Sequence, residues 1–263
     1  MNIVVCIKQV PDTTDVRIDP ETNTLIREGV ESVINPFDMY ALEEAVRIKE
    51  KFGGKTTVIS MGPPQTESAL REALSMGIDE AVHLSSRAFA GSDTWSTSLV
   101  LSKALEKLGG YNLVICGKQA SDGDTAQVGP GIAAHLDLPQ ATYVRRIDTI
   151  HMDTSPKIMV VERLVEDGCE IIELKLPALI TVVKEINEPR LPSLRGKMRA
   201  RKQEISVWGN KELGIKEEDI GLKGSPTQVV KIFTPPSKTG GRILAGEASE
   251  IVPELVKELK TIL

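Results

Sequence analysis

Apolar positions in the first two-thirds of the chain alternate between two spacings. Short, nearly continuous apolar runs at 3–8, 57–61, 81–84 and 113–116 have the length and bounding turns of buried strands. Between them the apolar residues recur at helical steps. Phe37, Ala41, Ala45, Ile48 and Phe52 repeat every three to four residues. They follow Asn35-Pro36-Phe37-Asp38, which offers an N-cap residue, a proline at the first helical position and an acid in the first turn. Gly53-Gly54 ends that helix. Further helices are expected at 65–76, ended by Gly77, at 94–108, ended by Gly109-Gly110, and at 126–136. Strands alternating with helices specify a parallel sheet with helices on its faces, which binds ligands beyond the carboxyl ends of its strands. The loops after Lys8, Met61, Leu84 and Cys116 should therefore converge on one crevice.

The rhythm then changes. Runs at 157–163 and 169–176 read as strands joined by the turn Glu166-Asp167-Gly168, and 179–183 reads as another strand. The expected fold class is α/β: a doubly wound, Rossmann-like parallel sheet with an antiparallel extension. After Glu185 the core pattern stops. Residues 187–201 carry two prolines and many basic residues. Within them Leu191 and Leu194, with Arg195 and Met198 beside them, have the form of an interface anchor. Alternatively the loop folds back and buries both leucines on its own domain. Residues 203–246 are rich in Gly, Pro, Ser and Lys and read as an extended arm. The last stretch is an amphipathic helix with Ile251, Val252, Leu255, Val256, Leu259 and Ile262 in one stripe, which its own domain or, as the arm's length favours, a partner subunit would bury. This divides the chain into a nucleotide-binding α/β domain at 1–202, with a partner-recognition loop and helix at 187–201, and an arm and docking helix at 203–263.

Composition narrows the chemistry. The net charge is −5 and the pI about 5.4, which disfavours nucleic acid. Aromatics make up only 3% of residues, too few for base-stacking platforms. No apolar run approaches a membrane span, and the N-terminus enters a strand pattern with no leader signature, so a cytoplasmic location is expected. Cys6, Cys116 and Cys169 are too widely spaced for a zinc site or a disulfide framework, and His83, His135 and His151 form no ligand pair. No nucleophile elbow or zinc-protease motif is present.

The chemical interest concentrates at 113–130, LVICGKQASDGDTAQVGP. An apolar strand ends at Gly117, a polar loop follows, and a helix begins. This arrangement sets free backbone N–H groups and a helix dipole against a phosphate. It lacks the Gly-Lys-Ser/Thr close of a P-loop and the glycine spacing of a dinucleotide fingerprint. Asp122 and Asp124 fit as acceptors for ribose hydroxyls or N–H groups, or as helix caps, while Gly123, Thr125, Gln127 and the loop amides would take phosphate and sugar. An ordinary capped turn and a metal-binding loop are the alternatives.

Several motifs together resemble one family. The stretch at 161–181, with Arg163, Glu166-Asp167-Gly168, Ile171-Ile172, Pro177 and Leu179-Ile180-Thr181, is similar to the signature of electron-transfer flavoprotein beta subunits. The Asn-Pro-Phe helix start at Asn35, the loop Gly117-Lys118-Gln119 and the segment Asn187-Glu188-Pro189-Arg190 are similar to that family too. The resemblance covers essentially the whole chain. It implies a heterodimer with an alpha subunit that carries FAD, and an adenine nucleotide in the crevice. The implied nucleotide contacts are Cys6, Asn35, Pro36, Phe37, Asp38, Met61, Gly117, Lys118, Gln119, Asp122, Gly123, Asp124, Thr125, Ala126, Gln127 and Val128. It also implies that the loop around Leu194 docks on a dehydrogenase and that the arm embraces the alpha subunit.

The family has two types. In one the beta-subunit nucleotide is a structural AMP; in the bifurcating type it is a second FAD, reduced by NADH. The sequence Asp122-Gly123-Asp124-Thr125 resembles the bifurcating type, as do Asp38-Met39-Tyr40 and Gly91-Ser92-Asp93-Thr94. Glycine at 123 leaves room for a diphosphate and removes a negative charge. Tyr40 would flank an isoalloxazine and Thr94, beside Asp93, would bond its edge; an ordinary helix residue and a capping segment are the plain alternatives. The implied activity is hydride acceptance from NADH, with electrons divided between the alpha-subunit FAD and an acyl-CoA dehydrogenase on one branch and ferredoxin or flavodoxin on the other. No side chain is required as acid, base or nucleophile. From a different class, an ATP-binding or ATP-hydrolysing domain would need a phosphate-grabbing first loop, which Lys8-Gln9-Val10-Pro11-Asp12 does not supply.

Overall fold

Alternation along single strands builds the molecule. In the first strand Ile3, Val5 and Ile7 face one helical layer, while Val4 and Cys6 face the other. The computed structural model describes residues 1–12, 32–230, 241 and 243–261. In chain order the elements are β1 (Asn2–Ile7), β2 (Gln9–Pro11), β3 (Ser32–Ile34), α1 (Pro36–Phe52), β4 (Lys55–Met61), α2 (Glu67–Met76), β5 (Glu80–Leu84), α3 (Thr94–Leu108), β6 (Leu113–Gly117), α4 (Val128–His135), β7 (Gln140–His151), β8 (Ile158–Val165), β9 (Gly168–Lys175), β10 (Ala178–Val182), α5 (Leu194–Lys202), β11 (Ser206–Trp208), α6 (Gly221–Gly224) and α7 (Ala248–Leu259). Nine strands form one sheet in the order β11-β5-β4-β1-β6-β10-β7-β8-β9. It is parallel from β11 to β7, and β8 and β9 add an antiparallel extension. Helices α1 and α2 pack on one face, α3 and α4 on the other. The doubly wound, Rossmann-like sheet with its extension is as the sequence pattern predicts.

The order of strands positions the site. From β1 the chain winds outward through β4 and β5, then crosses back through α3 to β6 on the other side of β1. The direction of winding therefore switches between β1 and β6, and the strand ends diverge there into a crevice.

Three features differ from the sequence reading. Strand β7 was not anticipated. It holds three charged residues, Arg145, Arg146 and Asp148, and two register shifts against β8, which break the two-residue alternation. The short pair β2–β3 joins residues too far apart in sequence to show as a hairpin. The stretch expected to start the arm, 203–230, instead packs on the α/β unit. There β11 pairs with the edge of β5, and Leu213 and Ile220 are buried in the α3 layer. A three-residue strand carries no periodic signal. The chain divides into two compact units, and the first continues to Val230. The Thr234-Pro235-Pro236-Ser237 and Gly240 part of the arm, and Ile262 of the terminal stripe, lie outside the described residues. In the second unit α7 keeps Val252, Leu255, Val256 and Leu259 exposed.

Gly129 on α4 marks a close approach: a Cβ there would lie 2.5 Å from Thr181 Cγ2 of β10. Gly129→Ala should therefore cost about 1–3 kcal/mol through overpacking. For a chain of this size that lowers the melting temperature by about 2–4 °C per kcal/mol, which calorimetry of the variant checks.

Candidate functional site

One buried carboxylate joins the two strand ends at the switch point. Lys8 N, just past β1, donates to Asp38 Oδ2 at 2.7 Å, and Gly117 N, at the end of β6, donates to Oδ1 at 3.2 Å. Asp38 sits in the first turn of α1 because Asn35 and Pro36 start the helix there. Gly117 permits the approach: a Cβ would meet Asp38 Oδ1 at 2.3 Å and the Phe37 backbone at 2.7 Å. Burial pushes Asp38 from 3.8 up to about 7, even though the amides of Lys8 and Gly117, the Asn35 side chain and the Lys8 ammonium all favour its charged form.

Asn35 holds the loop that follows β6. Its Oδ1 accepts from Ser121 N at 3.0 Å and its Nδ2 donates to Gln119 O at 2.8 Å. The loop turns on Ala120 O, which accepts from Gly123 N and Asp124 N. The carboxylates expected as ribose acceptors or caps are engaged within the protein. Asp122 pairs with Lys8 Nζ at 2.6 Å, and Asp124 accepts from Gln119 Nε2. Neither caps α4. That position falls to Gln127, whose Oε1 accepts from Thr94 Oγ1 at 2.9 Å. Asp124 and Ala126 adopt positive φ angles of 52° and 54°. The backbone N–H groups of Thr125, Ala126, Gln127 and Val128 find no acceptor among the described residues. Alternating backbone handedness that leads free amides into a helix N-terminus makes an anion-binding nest. Around Gly123 nothing lies within 4 Å of where a Cβ would point.

Cys6 and Cys116 are register neighbours on β1 and β6, with both thiols buried under the α3–α4 layer just before the strand ends. A hydrogen bond with Cys6, together with burial, pushes the Cys116 thiol up. Phe37, on the first turn of α1, and Met61, at the end of β4, stand at the same edge of the sheet. Asp93 is occupied: it accepts from Ser96 N as the cap of α3, and from Thr227 N and Oγ1. Tyr40 lines a groove of about 380 Å³ together with Val33, Ile34, Pro36, Met39, Glu72 and Pro189. Two residues at the site were not singled out from the sequence. Lys8 bonds Asp122. Tyr143, at φ 61°, places its ring 5.1 Å from Lys118 Nζ, with Phe37 at 5.7 Å on the same ammonium. Tyr143 lies on the unanticipated strand β7, and no local pattern marks it. Leu191, Leu194, Arg195 and Met198 belong to α5 and the segment before it, and all four are exposed.

Residues 22–213 match the electron transfer flavoprotein domain family. The chain belongs to the beta-subunit branch of the electron transfer flavoprotein family. It is 56% identical over 262 residues to the electron transfer flavoprotein subunit beta of Thermoanaerobacterium thermosaccharolyticum, covering 99% of this chain and 98% of that one. It is 49% identical over 262 residues to the caffeyl-CoA reductase–Etf complex subunit CarD of Acetobacterium woodii, with the same coverage. Protein FixA of Azotobacter vinelandii is 51% identical over 239 residues, 89% of this chain and 84% of the relative. Among the described residues no helix is long and apolar enough to cross a membrane.

The raised Asp38 has a measurable consequence. The folded protein keeps this proton to a higher pH than the unfolded chain does, so the Asp38 contribution to stability declines as pH rises from about 4 to about 7 and is level above that. In Asp38→Asn that slope is absent. Thermal unfolding across this range should show the variant gaining on the wild type as pH rises; a difference independent of pH would refute the raised value.

Proposed function

We propose that this chain is the beta subunit of a heterodimeric, bifurcating electron transfer flavoprotein and that its crevice holds FAD. The run of free amides from Thr125 to Val128, beside the open space at Gly123, carries this reading. Those amides and the α4 N-terminus would take the diphosphate, while Asn35 and Asp38 hold the loop at the distance the ligand needs. Lys8 and Lys118 add positive charge at the mouth; Lys8 also offsets Asp122, and Phe37 and Tyr143 restrain Lys118. A bound FAD supplies hydride acceptance from NADH and release of single electrons toward the alpha-subunit FAD and an acyl-CoA dehydrogenase, and toward ferredoxin or flavodoxin. The protein's part is to bind, orient and exclude; no acid, base or nucleophile is assigned to it. A beta subunit implies an alpha-subunit partner, and the apolar stripe of α7 fits that contact. Similarity to CarD, a subunit of a caffeyl-CoA reductase–Etf complex, supports delivery of electrons to an enzyme that acts on a CoA thioester. The exposed Leu191, Leu194 and Met198, rimmed by Arg195, suit docking on that enzyme.

Two measurements test this. Nucleotide released from the denatured heterodimer, after incubation with FAD, should be two FAD per dimer; one FAD with one AMP would place a structural AMP here. Because a side chain at 123 meets no protein atom, Gly123→Ala should retain FAD binding. Gly123→Asp puts a third carboxylate between Asp122 and Asp124 and should weaken FAD binding and NADH oxidation by at least about tenfold. Equilibrium dialysis and NADH oxidation rates of the two variants check it. Full retention in Gly123→Asp would remove the diphosphate from this loop.

A further inference from the structure

The segment Asn187-Glu188-Pro189-Arg190 is bonded to α1 at several points. Asn187 Nδ2 donates to Tyr40 O at 3.0 Å and Glu44 Oε2 at 2.9 Å, and Arg47 donates to Glu188 O at 3.2 Å. Arg190 Nε donates to Glu43 Oε2 at 2.8 Å and its second amino group to Oε1 at 3.1 Å; its backbone N–H adds a third bond to Glu43. The same guanidinium grips Glu50 at 2.6 and 3.0 Å. Glu43 is only 2% exposed and also accepts from Arg47 at 2.6 Å. Burial opposes its charge, but the bonds from Arg190 and Arg47 outweigh that and hold it below the usual carboxylate range. The guanidinium makes two bonds to each carboxylate, which needs a planar, forked cation; an ammonium, with three donors, can reach both but cannot pair bidentately with each.

A second clamp follows a few residues later. Ser193 caps α5 by accepting from Gly196 N at 3.0 Å. Arg199 donates to Leu74 O and Ile78 O at the end of α2, and Arg71 donates back to Ala200 O at 2.7 Å. Gly196 lies so close to α2 that a Cβ would stand 2.1 Å from Ser75 O. Between the two clamps Leu191, Leu194 and Met198 are 91%, 78% and 58% exposed. Such bonding does not bury these side chains; it fixes the backbone that carries them outward.

We propose that Arg190 is the positioning residue of this docking segment: its double grip on Glu43 and Glu50 of α1 presents Leu191 and Leu194 in a preformed arrangement. Docking then requires little ordering of the loop, and the saving appears as affinity for the partner. The proposal rests on the reading of this segment as the dehydrogenase-docking surface.

The test uses the heterodimer and an acyl-CoA dehydrogenase chosen because the wild type saturates it. Arg190→Lys keeps the charge and loses the fork. It should raise the KM for the dehydrogenase about tenfold with kcat retained. Amide exchange of residues 191–198 should quicken, while nucleotide content and reduction by NADH stay at wild-type levels. Glu50→Gln, at an exposed partner, is the milder variant and should move KM and exchange in the same direction. Leu194→Ala reports on the docking reading itself. A raised KM in Leu194→Ala with wild-type KM in both clamp variants would overturn the positioning role and leave the docking surface standing. An unchanged KM in Leu194→Ala would sink the docking reading and the proposal with it. Loss of nucleotide in Arg190→Lys would make Arg190 a support of α1 as a whole, and would also overturn it.

Discussion

The bond pair from Lys8 and Gly117 to the buried Asp38 is the constraint on which the site depends. Parallel strands diverge at their carboxyl ends where the winding reverses, and nothing in the sheet ladder holds the two ends at a set distance beyond the last pair. A carboxylate with one oxygen on each strand end does so. It requires a helix that starts with an acid in its first turn, and a β6 end without a side chain. Both are met, by Asp38 and by Gly117. Burial of the group is unfavourable to its charge, which is why its proton is held to about pH 7.

Helix α1 serves two regions. Its first turn, with Asn35 before it, shapes the crevice and pins the loop after β6. Its later turns, through the Tyr40 carbonyl, Glu43, Glu44, Arg47 and Glu50, hold the segment that presents Leu191 and Leu194. The crevice and the proposed docking segment thus share one element, which is packed along its length by Ala41, Leu42, Ala45, Val46 and Ile48. Under the proposed function, this shared scaffold would fix the relation between cofactor and partner.

Most of the strained backbone lies at the same place. Among the described residues, three of the four non-glycine residues with positive φ, Asp124, Ala126 and Tyr143, lie there; the fourth, Asp137, follows α4. Such conformations are unfavourable and persist where surrounding contacts impose them. In Asp124 and Ala126 the strain turns amides outward ahead of α4. In Tyr143 it accompanies a bulge and brings a ring to the Lys118 ammonium.

The sequence by itself determined the elements whose signals are local and repeated: the strands β1, β4, β5 and β6, the helix start at Asn35-Pro36, the glycine stops, and the loop at 117–128. Each depends on neighbours a few residues apart, so periodicity and capping expose it. The exposed leucines of the 187–201 segment were legible as residue types but not as a buried-or-exposed choice. Only the tertiary structure decided what depends on residues distant in the chain. Strand β7 forms because β8 and β10 flank it, not because its own pattern alternates. Residues 206–208 become a strand only by completing the edge of β5. Asp122 and Asp124 look like free acceptors until Lys8 and Gln119 are placed beside them. Glu43 and Arg190 are 147 residues apart, and nothing in the sequence connects them until α1 and the segment before α5 are packed together. Pairings of this kind form only once the hydrophobic layers have brought the groups within bonding distance, where desolvation makes each partner necessary to the other.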